Sequence, residues 1–163
     1  MFRENVEKEY DIKSQACYRC GITCHNNISE KNADGSKGEF LAKFDYEPLN
    51  LLGTNLGLHD AGQAAKLIHL SDNYGMDAIS LGVTISYALS YNERHPQATI
   101  LNGATFGDYE KIRELIIQAG EGKLPEIGQG SMRLSQSLNE TSYAYHVKGL
   151  EIAAYQPETN PGY

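Results

Sequence analysis

Between Asp60 and Pro96 the chain spells out two helices joined at a glycine, and this pair limits the possible fold more than any other stretch. Ala61, Ala64, Ala65, Leu67 and Ile68 recur at the three-and-four spacing of one helical face, and Asp60 stands where a carboxylate can cap the first turn. Gly75 falls where a left-handed residue ends such a helix. Asp77 is placed to cap a second helix, whose apolar positions are Ile79, Leu81, Val83, Ile85, Ala88 and Leu89. That helix must stop before His95, because the residue ahead of Pro96 disfavours the helical region. Asp108 opens a third, YEKIRELIIQAG, with Ile112, Leu115, Ile116 and Ala119 inward and Gly120 as its stop. A shorter helix is expected over 131–138. The fold class that follows is mainly α, with helices near 60–73, 77–92, 108–119 and 130–138 and short extended segments between them.

Other stretches carry weaker patterns. Residues 1–16 are polar and without period. Residues 26–38, NNISEKNADGSKG, read as a Gly-bearing loop or hairpin tip. FLAKFDYEPLNLLGTNLG begins extended and then becomes turn-rich. YAYHVKGLEIAAYQPETNPGY is aromatic with no settled period, and its NPGY end reads as a chain cut in mid-sequence. No internal repeat is visible.

Bulk properties remove whole classes of function. A chain of 163 residues can bury one core. The formal charge is −7 and the Lys and Arg residues are scattered, which argues against a nucleic-acid partner. No apolar run reaches membrane-spanning length, so no membrane partner is expected. The leading MFRENVEKEYD lacks the apolar core of a secretory signal. A cytoplasmic location is the expectation. All three cysteines fall within eight residues, which suits a metal or cluster site in a reducing compartment better than a disulfide framework.

Four short motifs can carry chemistry. Cys17, Cys20 and Cys24 form a C-x2-C-x3-C array, whose short spacers let several thiolates turn on one iron–sulfur cluster, with a fourth ligand from elsewhere. His25 follows directly and can complete a Cys3His zinc site instead; an unligated trio is the third reading, and the spacing does not suit haem attachment. Glu47, between aromatic and apolar residues, is a candidate general base if partly desolvated, and otherwise an exposed glutamate ahead of Pro48. Asp72, Gly75, Met76 and Asp77 form a corner whose carboxylates and backbone N–H groups can meet the polar edge of a heterocycle; helix capping alone explains the same residues. His146, Lys148 and Glu151 surround Gly149 and can line an anionic site, although a surface turn accounts for them more simply. His59, His69 and His95 have no partner at metal-ligand spacing and read as surface or helix histidines.

Taken in order, CYRCGITC, YEPLNLLGTNLG, DNYGMD, AISLGVTISYA and HVKGLEIAAYQP resemble the aldehyde:ferredoxin oxidoreductases, which hold tungsten or molybdenum on a bis-pterin. The resemblance spans about residues 14–157. It implies that Cys17, Cys20 and Cys24 hold a [4Fe–4S] cluster, that Glu47 is the carboxylate near the metal, and that Asp72, Gly75, Met76 and Asp77 form a pterin-binding motif. Met76 replaces the family's usual Leu, a swap that keeps volume.

The resemblance further implies a helical fragment of a larger, multi-domain oxidoreductase. Residues 1–163 then form a partial helical domain: a cysteine segment at 14–26, pterin-wall helices over 58–92, and the remainder 93–163, where SYNERHPQATILNGATFGDYEK is a local variant that can shape the substrate entrance. Nothing before Cys17 is long enough for the family's cofactor-base domain. No cysteine follows Cys24, and the family's metal-adjacent histidine is expected beyond Tyr163. The implied partners are ferredoxin, a small aldehyde and the missing domains, with an oligomer open, and the isolated chain is expected to be inactive. The rival reading is a stand-alone helical iron–sulfur or zinc module for electron transfer or assembly; a metal assay with a visible spectrum separates the two.

Overall fold

A computed structural model describes residues 3–154. The AYQP segment from Tyr155 onward and the terminal NPGY lie outside the described residues. The chain opens with helix α1 (Arg3–Glu9) and a three-stranded antiparallel sheet, β1 (Tyr10–Gln15), β2 (His25–Lys31) and β3 (Lys37–Phe44), in the order β1-β2-β3. Helices α2 (Tyr46–Leu51), α3 (Ala61–Asn73), α4 (Ala78–Arg94), α5 (Tyr109–Gly120), α6 (Pro125–Gly128) and α7 (Ser131–Ser137) follow. A two-stranded hairpin, β4 (His146–Val147) and β5 (Leu150–Glu151), ends the described chain.

The expected helices form where the caps stand. The carboxylates of Asp60, Asp77 and Asp108 accept the N–H of Gln63, Ser80 and Lys111, each satisfying a donor that the first turn leaves unpaired. Helix α4 ends at Arg94, with His95 as its cap, ahead of Pro96. One stop differs from expectation. Gly120 lies inside α5, and Gly122, at φ 73°, is the left-handed residue; Gly122 and Lys123 donate to the carbonyls of Ala119 and Gln118.

The sheet is the main addition. Its strands carry few buried apolar residues: Ile28 on β2, and Leu41, Ala42 and Phe44 on β3. Register shifts around Ser29 break the alternation that would have exposed the pattern in sequence. The hairpin tip between β2 and β3 is the polar turn expected, with the Asp34 carboxylate accepting from the N–H and hydroxyl of Ser36.

One apolar core joins the sheet to the helices. Ile28 and Ala42 pack with Leu67 and Ile68 of α3, Ile85 and Leu89 of α4, and Ile112 and Ile116 of α5, all essentially sealed from solvent. Helix α2 crosses α4 closely: a Cβ on Gly82 would lie 2.5 Å from the Leu51 carbonyl oxygen, so only glycine permits this approach. Among the described residues no helix is long and apolar enough to cross a membrane.

Candidate functional site

The corner between α3 and α4 is fixed by its own backbone. Gly75 adopts φ 65°. Its N–H donates to the Asp72 carbonyl at 3.0 Å, and the Met76 N–H donates to the Ser71 carbonyl at 2.9 Å, the paired bonds of a Schellman ending. Met76 packs against the core. Asp77 then caps α4, its Oδ1 accepting from the Ser80 N–H at 2.7 Å. This corrects one expectation: the N–H groups of Gly75 and Met76 are consumed inside the turn and do not face outward. The carboxylates of Asp72 and Asp77 remain open to an outside ligand, because both residues are exposed.

The cysteines sit on the loop between β1 and β2. The loop is bounded by the ends of these two strands, since Gln15 pairs with His25. All three thiols are free and exposed. One turn bond, from the Cys20 N–H to the Cys17 carbonyl, shapes the loop, and the Ile22 N–H donates to the Cys20 sulfur at 3.4 Å. Tyr18 and Ile22 stand in solvent, 88% and 69% exposed. Among the described residues no three His, Cys, Asp or Glu side chains gather at metal-binding range, so the converged thiol set expected from the spacing is not formed here. Among the described residues all three thiols are exposed, and Cys24 borders a cavity with Ile12 and Phe44. The donor chemistry nevertheless fits an iron–sulfur cluster, because the set is three free thiols on one short loop, one already accepting an N–H bond. Behind the loop, His25 is buried and its Nδ1 has no hydrogen-bond partner among the described residues.

Lys43 on β3 links this loop to the corner. Its ammonium lies 3.1 Å from Asp45 Oδ2. Hydrogen bonding to Asp45 is the main cause holding its pKa above the ordinary lysine value; partial desolvation opposes this, and the charges of Cys17 and Asp72 reinforce it. Cys17 and Asp72 therefore lie within electrostatic reach of the same cation.

Glu47 lies in the first turn of α2 and is half-buried. Its Oε2 accepts the Ala154 N–H at 2.7 Å across 107 residues of sequence. Ala154 lines a cavity of about 390 Å³ together with Asn50 and Leu51 of the α2 segment, Val83 and Tyr87 of α4, and Tyr143. Burial raises the phenol pKa of Tyr87, which donates to the Glu140 carbonyl and stacks on Tyr143; the Arg94 guanidinium lies 4.3 Å over the Tyr143 ring. Asp77 lines a different cavity, with Leu81 and Thr84. The two cavities flank α4.

The structural roles of two residues went unread in the sequence. Glu151 is buried, and its Oε1 accepts from the Ser131 N–H at 2.7 Å and the Ser131 hydroxyl at 2.9 Å, capping α7 from a distant hairpin because Gly130 offers no side chain. The rest of HVKGLE is the surface turn expected, with Lys148 and Gly149 both at positive φ. Asn92 bonds to Ile100 and Ala104 and pins the variable segment after α4. No local pattern marks either residue, since each partner lies outside its own helix.

Comparison with known proteins places the chain in a family. Residues 2–163 match the family model described as aldehyde ferredoxin oxidoreductase, domains 2 and 3. A tungsten-containing aldehyde ferredoxin oxidoreductase of Pyrococcus abyssi is 32% identical over 98% of this chain and 27% of its own length. Its counterpart in Pyrococcus furiosus is 29% identical over the same shares. An aliphatic sulfonate oxidoreductase, WOR-like subunit, from Pyrococcus furiosus is 29% identical over 93% of the chain and 26% of its own length. The chain thus spans about a quarter of the relatives it matches. With that match running from residue 2 to residue 163, the chain belongs to the aldehyde ferredoxin oxidoreductase family.

Proposed function

We propose that this chain is the cluster-bearing and pterin-wall part of a cytoplasmic oxidoreductase that converts aldehydes to carboxylic acids, with ferredoxin as electron acceptor. The observation that carries the reading is the family match over residues 2–163; the roles of the cysteine loop, Glu47 and the Asp72–Asp77 corner follow from the resemblance of their motifs. Water and an aldehyde give a carboxylic acid, two protons and two electrons. When bound, the tungsten (or molybdenum) bis-pterin supplies the two-electron redox chemistry and a [4Fe–4S] cluster relays the electrons. The rest of the task falls to protein groups. Cys17, Cys20 and Cys24 would hold the cluster, the fourth ligand coming from the remaining polypeptide. Asp72 and Asp77 would accept hydrogen bonds from the heterocycle edge.

Glu47 would take the proton released as water adds to the carbonyl. The Ala154 N–H holds Oε2, which fixes the carboxylate and leaves Oε1 to accept. The adjoining cavity, lined by Leu51, Val83 and Tyr87 among others, is large enough for a small aldehyde. The chain alone is inactive in this reading, since it spans only 27% of its relatives' length. The test is Glu47→Gln in the whole enzyme. Turnover should fall by about 10²- to 10⁴-fold, the usual worth of a positioned base, with metal and pterin content unchanged. Near-normal turnover removes Glu47 from the mechanism.

A further inference from the structure

Beside the corner lies a cavity of about 190 Å³ with two walls. Met76, Asp77 and Ser80 form one wall, with Thr84 deeper on the same helix; Gly128 and Gly130, at the α6–α7 junction, form the other. Thr84 is buried and its hydroxyl donates to the Ser80 carbonyl at 2.7 Å, so the helix side is a finished surface. Asp77 is committed through Oδ1 alone, which leaves Oδ2 to accept from outside.

The opposite wall is shaped by an absent side chain. A Cβ built on Gly128 would meet no heavy atom within 4 Å, and its backbone is not left-handed. Neither protein packing nor backbone conformation therefore requires glycine at this position, and Gly128, an exposed residue, lines the cavity without a side chain. Gly130 differs, because its φ of 84° and the nearby Glu151 carboxylate account for it structurally.

We infer that the α6–α7 junction is the second wall of the heterocycle site, with Gly128 kept bare so that a flat, polar bicyclic ring slides between it and Asp77. The ligand class is a 2-amino-4-oxo-pteridine. Its ring N–H and exocyclic amine present adjacent donors, the complement of a carboxylate edge. This rests on the reading of Asp72–Asp77 as a pterin-binding corner and adds a wall to it.

The test uses the 163-residue chain, ¹⁵N-labelled, titrated with free pterin. Amide shifts are expected together at residues 76–80 and at 127–130. Gly128→Ala should keep the thermal midpoint, and Gly128→Leu should weaken binding by about tenfold or more by filling the cavity. Shifts confined to residues 72–80, with Gly128→Leu binding as tightly as the parent, overturn the second wall and leave the corner reading standing. Absence of shifts in both segments of the parent chain overturns both. In the whole enzyme, a lower yield of released pterin per chain from Gly128→Leu, read by fluorescence, is the matching result; a yield equal to the parent's counts against the second wall.

Discussion

The corner at Asp72–Asp77 and the loop at Cys17–Cys24 are both read as parts of one cofactor assembly, and they are held in opposite ways. At the corner, two backbone bonds close the end of α3, Asp77 caps α4, and the buried faces of both helices anchor the turn from beneath. On the loop, the contacts are local, a turn bond from Cys20 to Cys17, a pair between Cys20 and Ile22, and Arg19 over the Tyr18 ring, and its cysteines, Tyr18 and Ile22 all face solvent. The corner keeps its shape without a ligand because helix endings are satisfied locally. Among the described residues the loop's cysteines, Tyr18 and Ile22 are left exposed. A site divided in this way has one preformed wall and one wall completed on assembly.

The largest expected effect tests the foundation of the corner. Ile68 is 1% exposed within the core under α3. Ile68→Ala should cost about 2–5 kcal/mol in urea unfolding of the chain, the usual range for a buried aliphatic truncation. A cost below about 1 kcal/mol would mean the helices do not anchor the corner, and the contrast with the loop would collapse.

Gly75→Ala comes next. The residue sits at φ 65°, and a Cβ there would meet no atom within 4 Å, so any cost is conformational rather than steric crowding. About 1–2 kcal/mol is expected, the penalty of a left-handed L-residue. A neutral substitution would show that the turn rearranges freely.

Asp77 separates capping from binding. Asp77→Ala should lose about 1 kcal/mol, as a removed N-cap does. Asp77→Asn should keep most of that stability, because asparagine caps as well, while losing the charge that would face a heterocycle. Equal stability losses in the two variants would remove the cap from the account of the corner.

What the sequence made legible follows the same division. The caps at Asp60, Asp77 and Asp108 and the faces led by Ile68, Ile85 and Ile112 are local patterns, each readable within a few turns of its own helix. The sheet was not readable, because β1 carries no buried apolar residue and β2 only Ile28; β1 pairs with β2, β2 with β3, and β3 is the strand that packs on α3. Gly120 was misread as a stop because two glycines fall close together, and only the backbone shows that Gly122 takes the left-handed turn. The order of the motifs revealed the family, whereas the bond from Ala154 to Glu47 and the cap from Glu151 to Ser131 join distant segments that no local pattern connects.

The smallest expected effect on stability is the most informative about the loop. Cys17, Cys20 and Cys24 replaced together by serine should change the unfolding free energy of the metal-free chain by no more than about 0.5 kcal/mol, as substitutions at exposed positions do. All three side chains are exposed, and the Cys20 N–H to Cys17 carbonyl bond uses only backbone atoms, so the substitutions leave it intact. The contact from the Ile22 N–H to the Cys20 sulfur passes to a hydroxyl, which also accepts. In the whole enzyme the same triple variant should lose its iron and sulfide, because hydroxyls do not replace thiolates on a cluster. Stability and loading thus separate at the loop, whereas at the corner Asp77 serves both the helix and, in the proposed reading, the ligand. A loss above about 1 kcal/mol in the metal-free triple variant would break the contrast, since it would mean that the loop already contributes to the fold.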